Sequence, residues 1–148
     1  MSDLDNKIKL IFESNGYRIK ESKMIYDEFR FFLTPPDVDN GDFEVFKLKN
    51  ENLVIIAGGI VLGKSRLDKL NNNFELQNKL RQELEGLRDD VKLDLYEIED
   101  DGNDYFIRMQ CAIPVDVFSL YELANKIDNF NESGNIVSKK ISEIFTMI

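Results

Sequence analysis

The stretch GGIVLGKS, residues 58–65, is where residue type and spacing in this chain come closest to chemistry. Gly58, Gly63, Lys64 and Ser65 match the letters of a phosphate-binding loop, G-x-x-x-x-G-K-[ST]. In such a loop the glycines let several backbone N–H groups converge on an anion at a helix N-terminus. The lysine reaches the outer phosphates and the hydroxyl takes magnesium. A nucleotide-binding protein built on these four residues is the alternative against which the rest of the chain is weighed.

Three features of the surrounding residues point elsewhere. Ile60, Val61 and Leu62 would line a solvated loop around a charged ligand, whereas their chemistry suits the interior of a strand. Magnesium also needs a partner carboxylate, usually beyond a hydrophobic strand, and Asp94 in VKLDLYEIED sits inside an alternating segment instead. Finally, phosphate-loop enzymes depend on strand–helix crossovers, while the strands here come in antiparallel-looking runs of three and two. The chain therefore predicts residues 60–62 to be extended between neighbouring strands and shielded from water. Gly63 would end that strand, and Ser65 would cap the next helix with Asp68 three residues on.

Other reactive constellations are sparse. Histidine is absent, which removes the commonest general base and the usual zinc ligand, and with them Ser-His-Asp, Cys-His and Cys/His zinc sites within one chain. The one cysteine, Cys111, forms no disulfide framework, and with no histidine to activate it the expectation is a buried core thiol. Two acidic segments resemble the start of a calcium loop. DVDNGD (residues 37–42) brings its glycine one position early and places Leu48 at the twelfth position; EIEDDG, from Glu97, places Arg108 there. Both lack the bidentate glutamate, so hydrated hairpin turns are expected, Asp100 and Asp101 included. No catalytic residue, cofactor or metal is expected.

The composition agrees. At 148 residues the chain has the length of one domain, spanning 1–148, and a chain of this size buries about 68–70% of its unfolded surface without staples. The net charge of −9 repels phosphate backbones and anionic lipid, and the densest basic stretch, at Lys139 and Lys140, supplies two charges. Nucleic acid and membranes are thus unfavoured partners. No apolar run approaches the ~20 residues of a membrane span, and the start MSDLDNKIKL has no basic signal-peptide region. A cytoplasmic location is expected.

The elements that must position these residues read as follows. SDLDNKIKLIFESNG forms a helix with Leu4, Ile8, Ile11 and Phe12 on one face, Ser2 and Asp5 as a capping box, and Asn15-Gly16 as its stop. Residues 17–24 connect it to the strand EFRFFLTPP, in which Phe29 and Phe31 join the core and Phe32 is left for a partner. In FEVFKLK, Phe43, Val45 and Lys47 alternate with Glu44, Phe46 and Leu48. LVIIAGGIVLG is apolar on both faces and belongs in a sheet interior, its Gly58-Gly59 pair marking a bulge or a close approach. One long helix follows over 66–88, striped by Leu67, Leu70, Phe74, Leu80, Leu84 and Leu87. Two strands come next, VKLDLYEIE and DYFIRMQCAIPV. Ser119 with Glu122 opens a last helix whose apolar phase runs from Leu120 to Ile148, with Gly134 as its possible break.

The resulting order, α-β-β-β-α-β-β-α, predicts an α+β fold with a twisted, mainly antiparallel five-stranded sheet. With IAGGIVLGKSRLDKL at its strand-to-helix junction and capped terminal helices, the chain resembles the type III secretion chaperone-like fold and a group of small, uncharacterised archaeal proteins. The resemblance implies helices packed on the sheet, commonly a homodimer, and binding of a segment of another protein. The residues add one reason of their own. Phe43 with Val45 and Phe46 with Leu48 cannot all face one core unless the second sheet face is covered too. The expectation is a non-enzymatic, chaperone-like protein-interaction module, dimeric through the 66–88 helix or the far sheet face, holding a protein or peptide partner.

Overall fold

Period-two alternation organises the centre of the molecule. In this computed structural model, which describes residues 2–37, 40–101 and 103–146, six strands form one sheet. They are β1 (Arg18–Glu21), β2 (Asp27–Thr34), β3 (Phe43–Leu48), β4 (Leu53–Val61), β5 (Leu95–Asp100) and β6 (Tyr105–Pro114). The spatial order is β1-β2-β3-β4-β6-β5, and every neighbouring pair is antiparallel. Four α-helices accompany them: α1 (Ser2–Ser14), α2 (Lys64–Leu70), α3 (Phe74–Gly86) and α4 (Leu120–Thr146).

Alternate side chains of the strands enter a single core. Phe29, Phe31 and Leu33 of β2, Phe43 and Val45 of β3, Val54 and Ile56 of β4, and Ile107, Met109, Cys111 and Ile113 of β6 are all buried there. Ile8 and Phe12 of α1, Leu80 and Leu84 of α3, and Val137 and Ile141 of α4 close over them. The intervening strand residues are mostly half-buried or exposed, so the helices cover one face of the sheet and leave the other open. Burying about 1.5–3 kcal/mol worth of each large aliphatic or aromatic side chain is what ties the helices down.

Two predicted elements come out differently. The sheet has six strands rather than five, because residues 18–21, read as a connection, pair with Phe31–Thr34 of β2. This strand is four residues long with only Ile19 directed at the core, too short to show alternation. The 66–88 helix is two helices. Asn72 takes a left-handed conformation (φ 62°), and the Asn73 side chain caps α3 by accepting from Leu76 N at 3.1 Å. Gln77, which interrupts the apolar stripe, donates to Leu70 O at 2.7 Å and so satisfies the end of α2. Phe74 accordingly leaves the stripe and is 77% exposed, with Leu76 buried in its stead.

The capping expectations divide. Ser119 accepts from Glu122 N at 3.0 Å and α4 runs unbroken through Gly134. Ser65 is no cap; Gly63 holds that position with an extended backbone and no side-chain bond, and Ser65 lies inside α2. The Ser2 side chain and Ile148 lie outside the described part of the chain, as do Val38 and Asp39 of the first acidic loop. The strand expected from Val91 begins at Leu95, since Asp94 instead turns its carboxylate to accept from Ala112 N at 2.7 Å.

Gly58 and Gly59 mark a close approach and not a bulge, because their register with Met109 and Arg108 is continuous. A Cβ on Gly58 would stand 2.9 Å from the Phe130 ring of α4; one on Gly59 would stand 2.4 Å from the Phe106 ring and 2.5 Å from the Ile107 carbonyl oxygen. Gly63 has nothing within 4 Å. Gly59→Ala should therefore cost about 2–3 kcal/mol in urea unfolding. Gly63→Ala should stay within about 0.5 kcal/mol of wild type.

Candidate functional site

The residues of GGIVLGKS are pulled apart by the sheet. Gly58 pairs with Met109, Ile60 with Ile107 and Val61 with Phe106, all within the β4–β6 ladder. Leu62, just past the strand, is buried and donates its N–H to Tyr105 O at 3.0 Å. Residues 58–61 run straight in that ladder, and Lys64 and Ser65 begin a seven-residue helix beyond Gly63. One expectation needs correction: Val61 is 63% exposed, because its side chain falls on the open face beside Phe106. Ile60 is half-buried.

Cys111 is fully buried, its Sγ 3.7 Å from Lys92 O, and burial first and the Asp94 carboxylate second push the thiol up to about 11. Such a thiol is overwhelmingly protonated at neutral pH and a poor nucleophile. Asp101 works as a turn acceptor, taking Asn103 N at 3.0 Å and Asp104 N at 2.7 Å, and these amides lower its pKa. Among the described residues no three acidic or cysteine side chains gather around a common point that could hold a metal ion.

What the tertiary structure assembles is the open face of the sheet. Register carries one row from Arg30 through Phe46 and Ile55 to Ala112, and the next from Phe32 through Glu44, Ala57 and Gln110 to Leu95. Phe46, Leu48, Leu53, Ile55 and Ala112 are half-buried there by their strand neighbours alone, and Phe32 is 38% exposed. As expected, Phe29 and Phe31 are core residues and Phe32 is not.

A charged network edges this surface. Asp27, only 1% exposed, accepts from Arg30 Nε at 2.8 Å, Arg30 Nη2 at 3.1 Å and Met24 N at 2.9 Å. Arg30 Nη1 donates to Glu44 at 3.0 Å, and the guanidinium lies 4.0 Å from the centre of the Phe46 ring. Arg30's hydrogen bonds hold the Asp27 carboxyl below its ordinary range against the opposing effect of burial. On the core side, Lys47 is 3% exposed, donates to Leu48 O at 3.2 Å and stands 3.4 Å from Glu28 Oε2. The register shift between Asp27 and Phe29 brings that glutamate to it. Sequence reading set Lys47 on the same face as Phe43 and Val45 but did not single out Asp27 or Arg30. Three residues apart, they would fall on opposite faces of a regular strand, and the register shift between Asp27 and Phe29 is what breaks that alternation.

Neither a protein-family model nor a curated protein matches the sequence. Among solved structures, the chain is similar to the crystal structure of an uncharacterized protein from Methanothermobacter thermautotrophicus. The TM-score is 0.63 at 15% identity, covering 96% of this chain and 94% of that one. At that identity the likeness is one of fold. It supports the archaeal half of the resemblance drawn from sequence and lends none to the secretion-chaperone half.

Two outcomes follow from the geometry. Arg30→Met leaves a covered carboxylate without its partner and should cost about 3 kcal/mol in urea. Because Asp27's pKa is lowered in the folded state, its contribution is complete above the ordinary carboxylate range and is lost as pH falls through the folded value. Asp27→Asn should flatten the decline in stability below about pH 4. Separately, calorimetry with magnesium-ATP should give no saturable heat; saturable heat that disappears in Lys64→Ala would restore the phosphate-loop reading.

Proposed function

We propose that the chain is a non-enzymatic protein-interaction module whose open sheet face receives an apolar segment of another protein. The observation that supports this is the one-sided cover of the sheet: among the described residues every α-helix packs on the Phe31–Ile56–Ile113 side, while Phe46, Ile55 and Ala112 form a row with no described helix over it. Apolar strand residues left on an open face are the usual mark of a binding surface. Arg30, held flat over Phe46 by Asp27 and Glu44, supplies a fixed planar donor group at its edge. The net charge of −9 favours a segment flanked by basic residues, through faster encounter more than through contact energy.

A chaperone-like role, holding an extended or helical segment, is the functional form this reading takes. Self-association is the second form, favoured by the distribution of charge across the sheet. Arg18 and Lys20 lie on the β1 edge strand, and Glu97 and Glu99 on the β5 edge strand, where Glu99 pairs with Arg108 of β6 at 3.3 Å. A two-fold axis running along the strands between two open faces would set one edge over the other.

Ile55→Arg places a charge at the centre of the face without entering the core. It should leave the urea midpoint nearly unchanged and abolish both dimer formation in sedimentation equilibrium and retention of partners in native pull-downs. Wild-type protein that is monomeric and retains nothing, or a variant that keeps the same partners, would refute the proposal.

A further inference from the structure

The helix-covered side carries a separate feature, a cleft of about 330 Å3 between the end of α1 and the beginning of α4. Local sequence builds its wall. Gly16 takes a left-handed conformation (φ 84°) that ends α1 and lets Tyr17 N donate back to Phe12 O at 3.0 Å. The Tyr17 ring then meets Phe12 edge-on, with centroids 4.9 Å apart, and Phe43 at 6.0 Å. Ile11, Leu123 and Ile127 complete the apolar wall, and exposed Ala124 lies at the mouth.

The charge around this cleft is of one sign. Among the described residues no lysine or arginine lines it, and Asp128 is the one carboxylate that does. Two other acids of α4 have basic neighbours: Glu132 stands 4.0 Å from Lys92 Nζ, and Glu143 3.7 Å from Lys140 Nζ. Asp128 forms no ion pair or hydrogen bond with any described side chain, as the contacts of the other residues show. Its field nevertheless reaches the Tyr17 phenol, whose pKa is raised first by burial and then by this carboxylate.

We propose that the cleft is a binding site for a small organic cation, an ammonium or guanidinium group carried on an apolar body of about one ring. The apolar wall removes the body from water, the half-buried Tyr17 ring offers π-surface to a cation, and Asp128 balances its charge. The volume lies near the lower end of ligand clefts, about 300–1,000 Å3, and so limits the body to one ring. An anion would find no positive group there and would approach a chain of net charge −9.

The test is a titration of the full chain with three probes that share a ring and differ in charge: phenethylammonium, phenethyl alcohol and 3-phenylpropionate, followed by amide chemical shifts. Phenethylammonium should move the amides around Phe12, Tyr17 and Asp128 saturably, the alcohol should bind more weakly, and the carboxylate should not bind. Asp128→Asn, at an exposed position, should weaken the ammonium by about fivefold and leave the alcohol unchanged. Ala124→Trp, which fills the mouth without altering Asp128, should abolish both. Equal binding of ammonium and alcohol, an unaffected Asp128→Asn, or binding that survives Ala124→Trp would overturn the proposal. So would a cleft that takes a lysine-containing peptide but no single-ring amine. Ile55→Arg, on the other side of the sheet, should bind phenethylammonium as wild type does, which separates this site from the open face.

Discussion

The pairing of β4 with β6 is the constraint on which the remaining structure depends. It runs through nine register pairs, from Leu53 with Pro114 to Val61 with Phe106, and commits the backbone of the most apolar segment to a ladder. An extended strand sends successive amides to opposite sides, so they cannot converge on an anion, and the ladder sets which side chains of both strands face the helices. It also explains the glycine pair. At Gly58 the Phe130 ring of α4 comes down onto the strand, and at Gly59 the Phe106 ring lies across it, so a side chain at either position collides with the neighbour that the ladder puts there. Two glycines that look like a ligand loop in one dimension are places of close packing in three.

From that ladder the asymmetry of the molecule follows. β4 sits in the middle of six strands, with a meander on one side and the β6–β5 hairpin on the other. Both helical regions return to the same face: α2 and α3 follow β4, and α4 follows β6. Ser133, buried in α4, accepts from Lys92 N at 3.0 Å and pins the segment before β5 beneath the helix. The Lys92 carbonyl in turn lies against Cys111 Sγ. With helices on one face only, the opposite face keeps its apolar row. The Asp27–Arg30–Glu44 network gives that row a rigid polar margin, since a carboxylate so thoroughly covered is stable only while the guanidinium is in place.

Much of the candidate surface was legible residue by residue. Phe32 was separated from Phe29 and Phe31, and Phe46 and Leu48 from Phe43 and Val45, by alternation alone; the buried Cys111 and the Ser119 cap were legible for equally local reasons. The break at residues 71–73 was less so. Three asparagines within a leucine stripe are compatible with a continuous exposed helix face. Only Gln77 reaching back to Leu70 and the left-handed Asn72 show that the chain turns there. The strand at residues 18–21 was hidden because its structure comes from its partner: Arg18, Lys20 and Glu21 have no preference that marks them as strand until Phe31–Thr34 lies alongside.

What the amino-acid order determined unaided is the periodic part: an α+β composition, the inward members of β2 and β6, and the apolar phase of α4. These depend on neighbours two to four residues apart. Which strands pair, that β5 lies outside β6, that all the helices gather on one side, and that Tyr17 meets Asp128 across a cleft were decided only in the tertiary structure. Such arrangements rest on contacts between distant residues, and their free energy belongs to the assembled core.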